Sequence, residues 1–245
     1  MKAFKGIVLA AVTAIGATLG TIQSSAAGDY NGDFMVRLQG TYLLTDDENK
    51  GLNSSILGDL SGVADTSTTN SWLPTATLTY FFNKNVAVEL FCCFGSAGIQ
   101  LEDKGLGISG ELGHVWMFPP ALTLQYHFSD LGAFKPYVGV GAQWIHFFDE
   151  KLGDNIVGAS KIDVDDAFGV TLQAGFDYEI GNGLYFNADV KKSFLNTEVT
   201  LHDALGIPGH TITADHDLDP WIFSVGVGYR FNLFNRGSST YEPMK

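Results

Sequence analysis

The sequence predicts an all-β fold: an eight-stranded, antiparallel, up-and-down transmembrane β-barrel behind an N-terminal signal peptide. Three observations predict it. In WIFSVGVGYRF, Trp221, Phe223, Val225, Val227, Tyr229 and Phe231 occupy every second position, with Ile222, Ser224, Gly226, Gly228 and Arg230 between them. Period 2 over about eleven residues suits one tilted strand across a bilayer, and the aromatics at its two ends suit the two interfaces. Seven further segments repeat this alternation, and the connections between them run long, short, long, short. The composition agrees, with 29 glycines, 13% aromatic and only 17% charged residues, yet a net charge of −13, so the acidic groups gather in exposed loops. So acidic a chain is a poor nucleic-acid partner, because phosphates demand a basic surface.

The first element is a targeting segment. Lys2 and Lys5 precede an apolar run from Gly6 to Ile22, and Gln23-Ser24-Ser25-Ala26-Ala27 supplies small residues for cleavage after Ala27. The competing reading is a permanent anchor helix, but the glycines and threonines in the run and the small-residue box after it favour removal. No later stretch approaches the ~18 apolar residues a membrane helix needs. The expected organisation is therefore signal peptide 1–27, barrel 28–231 and a periplasmic extension 232–245.

The strands follow in order. Asp33 to Thr45 sets Phe34, Val36, Leu38, Tyr42 and Leu44 against Met35, Arg37, Gln39 and Thr41, and a polar loop, 46–71, follows. Trp72 to Phe82 alternates again, turns at Asn83-Lys84-Asn85, and leads into Val86 to Phe94, with Glu89 on the minority face. Residues 95 to about 115 read as a second long, glycine-rich loop. Leu122, Leu124, Tyr126 and Phe128 mark strand four, and Phe134 to Phe148 strand five. An acidic loop, 149–166, precedes strand six, Phe168 to Ile180; Gly181-Asn182-Gly183 turns the chain into strand seven, from Leu184 to Phe194. A loop from about Thr197 to Asp219 leads to the closing strand. Short turns at the periplasmic end put both termini there, and Trp72, Trp116, Trp144 and Trp221 then fall at the outer interface as an aromatic belt. A soluble lipocalin-like barrel would turn the apolar face inward; the loop asymmetry and the belts favour the membrane. Cys92 and Cys93 are adjacent and point to opposite faces, so they read as packing residues rather than a disulfide.

PPALTLQYHF (Pro119 to Phe128), KPYVGVGAQWIHFF (Lys135 to Phe148), the Pro74, Leu78, Tyr80, Phe82 pattern and the closing GVGYRF (Gly226 to Phe231) together resemble the OmpW family of small outer-membrane barrels. The resemblance covers essentially the whole mature chain. It implies a bacterial outer-membrane location, a narrow and largely apolar lumen, and passage of small hydrophobic molecules across or laterally into the outer membrane. One departure is that the chain continues from Asn232 to Lys245, past the phenylalanine at which the family usually stops.

The inward residues sort into two zones. Arg37, Glu89, His127, Asp177, Asp189, Lys191 and Arg230 form the periplasmic-side set; Leu43, Leu73, Ile145, Phe147 and Ile222 form the outer set. Charges in a lumen barely wide enough for side chains must pair with one another. The expectation is a salt-bridged plug below a hydrophobic pocket. The bland alternative is that the apolar residues merely fill the barrel and the long acidic loops bind host, phage or lipopolysaccharide. His127-Phe128-Ser129 echoes the His-x-Ser pair of lipid A deacylases, a remote hydrolase reading; Ser129 lies at the wrong end for that substrate, so no enzyme activity is expected. His202, His210 and His216 with Asp215, Asp217 and Asp219 lack the EF-hand glycine and glutamate and read as solvated loop charge. No metal or cofactor is expected. Expected partners are outer-membrane lipid and lipopolysaccharide, the assembly machinery through the closing strand, and small hydrophobic solutes, with the chain a monomer.

Overall fold

Alternating side chains build the wall first. The computed structural model describes residues 32–44, 48–59, 64–68, 70–103, 110–153 and 158–232. The expected signal peptide (1–27) and the extension past Asn232 lie outside these. Eight strands form the barrel: β1 (Asp33–Leu44), β2 (Ser71–Phe81), β3 (Val86–Cys92), β4 (Ala121–His127), β5 (Phe134–Leu152), β6 (Ala167–Gly181), β7 (Leu184–His202) and β8 (Trp221–Asn232). Each pairs antiparallel with the next, and β1 pairs β8 from Asp33↔Asn232 to Leu44↔Trp221, closing the ring. Closure gives every strand a neighbour on each side, as backbone groups in a bilayer require.

The short turns have local causes. Asn83 Oδ1 accepts the backbone N–H groups of Asn85 (2.8 Å) and Val86 (2.9 Å), an Asx turn between β2 and β3. Between β6 and β7, Gly181, Asn182 and Gly183 all have positive φ (130°, 55° and 77°), which glycine and asparagine tolerate best. Both chain ends of the barrel lie at this end.

Lipid-facing positions are mostly apolar: Leu122, Leu124, Val138, Val140, Val170, Leu172, Val225 and Val227 are all exposed, while Thr123 and Thr171 between them are buried and Gly139 and Gly226 half-buried. The lumen holds two different cores. Around Arg37 and Glu89 it is polar and charged; towards the outer end it is an apolar cluster including Ile145, Phe147, Ala167, Leu195 and Val199.

The segments expected to be long loops contain strands. Gly95–Asp103 and Gly110–Phe118 form a hairpin, and the latter pairs with the outer half of β5 from His146↔Phe118 to Leu152↔Gly113. Within the other loops lie Glu48–Ser54, Ala64–Thr68, Lys161–Val164 and Thr211–Asp217; β7 itself runs to His202. In the hairpin and in Lys161–Val164 the alternation is reversed, which reads as loop in the sequence: Ala97, Ile99, Val115, Met117, Ile162 and Val164 face inward, with Gly98, His114, Trp116 and Asp163 on the other side. Above the membrane the surroundings are water, so the apolar side belongs inside.

Prediction for this wall: Gly226→Ala should impair closure, because a Cβ there would lie 2.0 Å from the Leu38 carbonyl oxygen. Gly40→Ala should be tolerated, its Cβ meeting nothing closer than 4.0 Å. Heat-modifiable gel mobility after refolding checks both, with a reduced folded fraction expected for Gly226→Ala alone.

Candidate functional site

Arg37 is fully buried and supports a layer of charge across the lumen. Its Nη2 and Nε donate to the two oxygens of Asp177 on β6 (2.6 and 3.0 Å), and Nη1 donates to Glu89 Oε2 on β3 (2.8 Å). Lys191 lies 2.6 Å from Asp189 and 3.3 Å from Glu89, over the face of Phe91. Gln173 donates to Glu89 (2.9 Å) and Asp189 (2.7 Å), Tyr137 to Asp189 (2.9 Å), and Asn187 to Asp177 (2.9 Å). Removing ions from water costs several kcal/mol each, and only such dense pairing offsets it.

Five of the seven residues expected in the plug thus form one network. His127 sits beside it, bonded to Gln125 (2.9 Å) and against the rings of Phe81 and Tyr137. Arg230 lies apart at the periplasmic rim, 3.4 Å from Asp33 and over the ring of Tyr185. Sequence reading missed the neutral members, Gln125, Tyr137, Gln173 and Asn187. Their signal was available, since each falls on an inward position between two apolar outward ones.

Above the charge lies a cavity of about 60 Å³ lined by all five expected outer-zone residues, Leu43, Leu73, Ile145, Phe147 and Ile222. Val115, Met117 and Val199, from the reversed segments, complete its walls, while Thr41 and Gln143 form its floor. Beside the cavity the wall has a seam. The β2–β3 ladder ends at Ala76↔Cys92; beyond it Ser71–Thr75 pair with β1, while the strand from Gly95 pairs with Gly110–Phe118 and Ala64–Thr68. Pro74 has no N–H to offer across the gap, and the Leu73 methyl groups fill the space beside Gly95.

Of the tryptophans, Trp72, Trp144 and Trp221 are exposed on the barrel wall. Trp116 is half-buried in the hairpin above Pro119, opposite Phe148, four residues beyond Trp144 on β5. Three of the four expected belt residues thus lie on the barrel wall and the fourth farther out. Of the loop histidines, His202 meets Asp163 (2.9 Å), and His210 bonds Ser54 and the Ala204 carbonyl, each at 2.8 Å; the side chain of His216 lies outside those described. Ser129 donates its hydroxyl to the Lys84 carbonyl, and His127 turns into the lumen.

The OmpW family matches residues 30–231. This chain belongs to the OmpW family. It is 37% identical over 201 residues to the uncharacterized outer-membrane protein y4mB of Sinorhizobium fredii, spanning 81% of this chain and 80% of that protein. Outer membrane protein W of Vibrio cholerae is 31% identical over 205 residues, 82% of this chain and 89% of that protein. The crystal structure of OprG from Pseudomonas aeruginosa superimposes with a TM-score of 0.77 at 27% identity, covering 84% of this chain and 98% of OprG. This OmpW-family barrel is accordingly a protein of the bacterial outer membrane.

Arg37→Leu should leave Glu89 and Asp177 without their shared cation and lower stability by about 3–5 kcal/mol, the usual cost of removing one member of a buried ion pair. Urea unfolding in lipid vesicles, followed by tryptophan fluorescence, measures it. Lys84→Ala, which removes an exposed partner of Asp130, should leave the midpoint unchanged.

Proposed function

We propose that this OmpW-family barrel takes small hydrophobic molecules from the outside into the apolar pocket and releases them sideways into the outer membrane. The observation that carries the reading is a pocket lined by Leu43, Leu73, Ile145, Phe147 and Ile222 directly above a closed layer of paired charge. An apolar solute gains by entering the first and would have to break the second to continue downward. The seam between Leu73–Thr75 and Gly95 lies beside the pocket, and among the described residues no ladder pairing joins its two sides, which favours lateral exit there. The 60 Å³ cavity is well below the ~150 Å³ that holds a benzene ring, so Phe147, Met117 and their neighbours must swing aside for a solute to enter. Lipid and lipopolysaccharide surround the wall, and the closing strand through Tyr229-Arg230-Phe231 is the segment presented to the assembly machinery.

A second reading assigns the function to the outer ribbon, where Asp165, Asp166, Glu198, Asp215 and Asp217 line an acidic recess suited to contacts with other surfaces. Conductance separates the two. Refolded barrel in a planar bilayer should give small discrete steps that a long-chain amphiphile blocks. A silent barrel, shown inserted by heat-modifiable mobility, supports the ribbon instead. In vesicles, Ile145→Glu should fold normally and lower uptake of an apolar fluorescent probe at least ~10-fold, since a buried unpaired carboxylate repels it. Unchanged uptake would remove the pocket from the route.

A further inference from the structure

The floor of the pocket is not inert. Gln143 lies on β5 between Ala121 of β4 and Gly169 of β6, its side chain 2% exposed and bordering the cavity. Its Oε1 accepts the hydroxyl of Ser193, and Ser193 Oγ is itself 3.1 Å from Thr171 Oγ1. The carboxamide is thereby held in one orientation, with Nε2 on the side away from Ser193. Among the described residues Nε2 has no acceptor, yet it is not one of the polar atoms sealed off without a partner. Two N–H donors therefore border the cavity. Buried donors are almost always satisfied, so water or a solute oxygen must supply the acceptor.

The charge beneath decides which oxygen. Glu89, Asp177 and Asp189 face only Arg37 and Lys191 in the network, three carboxylates against two cations. A solute carboxylate at the floor would add to an existing negative excess and would also have to shed its water. A carbonyl or hydroxyl oxygen adds no charge and sheds its water at far lower cost. Around Gln143 the other cavity-lining polar groups are engaged: Thr41 with Thr75 (2.6 Å) and Ser224 (2.8 Å), and Thr197 with the Asp165 carbonyl.

We propose that Gln143 is a specificity-determining donor at the pocket floor, selecting apolar solutes that end in a neutral acceptor oxygen over plain hydrocarbons and over carboxylates. The inference rests on the proposed solute pocket. Ser193 and Thr171 act as positioning residues. The chain of such a solute would follow Ile145, Phe147 and Ile222 upward while its oxygen replaces water at Nε2.

The test uses the full-length barrel in lipid nanodiscs with 2-decanone carrying ¹³C at its carbonyl. The bound carbonyl signal should lie downfield of its position in protein-free nanodiscs. After correction for partition into lipid, unlabelled 2-decanone and decan-1-ol should compete about fivefold better than decane, the size expected of one neutral hydrogen bond. Decanoate should compete no better than decane. Gln143→Leu should abolish both the downfield shift and the ketone's advantage over decane. Gln143→Met, which keeps the side chain's length, serves if the leucine variant does not refold. Equal competition by decane and 2-decanone in the unaltered barrel, an advantage that survives in a folded Gln143 variant, or preference for decanoate would overturn the inference and leave the pocket standing. Failure of every probe to bind the unaltered barrel would overturn the pocket reading and this one together.

Discussion

Everything inside the barrel depends on Arg37. One guanidinium reaches Asp177 on one wall and Glu89 on another, and Glu89 passes the connection through Lys191 to Asp189. Strands that are neighbours only around the circumference are thus braced across the diameter. The layer exists because eight strands enclose a space only as wide as their side chains, so an inward charge has no water to fall back on and must find a partner. On the proposed route the same layer bars the direct path, and a solute entering from outside stays above it.

The second organising feature is the reversal of polarity along single strands. On β7, Phe186 and Phe194 face lipid while Asn187, Asp189, Lys191 and Ser193 face inward; beyond them Leu195, Val199 and Leu201 face inward, and Asn196 and Glu198 face out. On β5 the change falls between Gln143 and Ile145. Across these two switch points the side-chain period does not slip; what changes is the medium outside, from hydrocarbon to water. The switch is marked by Trp144 and Trp221, and by Lys192, whose ammonium donates to the Asp219 carbonyl (2.6 Å) over the Trp221 ring. Snorkelling of this kind is how a wall lysine avoids hydrocarbon.

This reversal also explains what was legible in the sequence. The eight strands, their faces and the closing partnership of β1 with β8 follow from large apolar residues at every second position, a strong signal. The outer ribbon does not, because there the apolar positions are occupied by Ala97, Ile99 and Val115 between glycines and polar residues, which resembles loop composition. The charged layer could be placed from its residues, since ions on inward positions have few alternatives. The separation of Arg230 from it could not, because that depends on strand stagger, which alternation leaves open. The neutral amides were missed for a different reason: glutamine and asparagine look unremarkable until the carboxylates they serve are seen within 3 Å, as with Gln173 beside Asp189 at 2.7 Å.

Stability and access are divided between the two halves of the lumen. Below, the Arg37 layer is held by directional bonds between fixed partners, so displacing one of its charged members leaves an ion exposed to low dielectric. Above, Ile145, Phe147, Met117 and Leu73 touch through non-directional apolar contacts, and a rotamer change forfeits packing but strands no polar atom. The seam follows the same division. It begins just past Ala76↔Cys92, where Pro74 removes a donor and Gly95 admits the Leu73 side chain, so the gap in the wall is plugged by two methyl groups rather than by hydrogen bonds. On the proposed route, moving Leu73 is therefore the low-cost step and moving Arg37 the prohibitive one. The direction of release is decided by which of those two residues a solute has to displace.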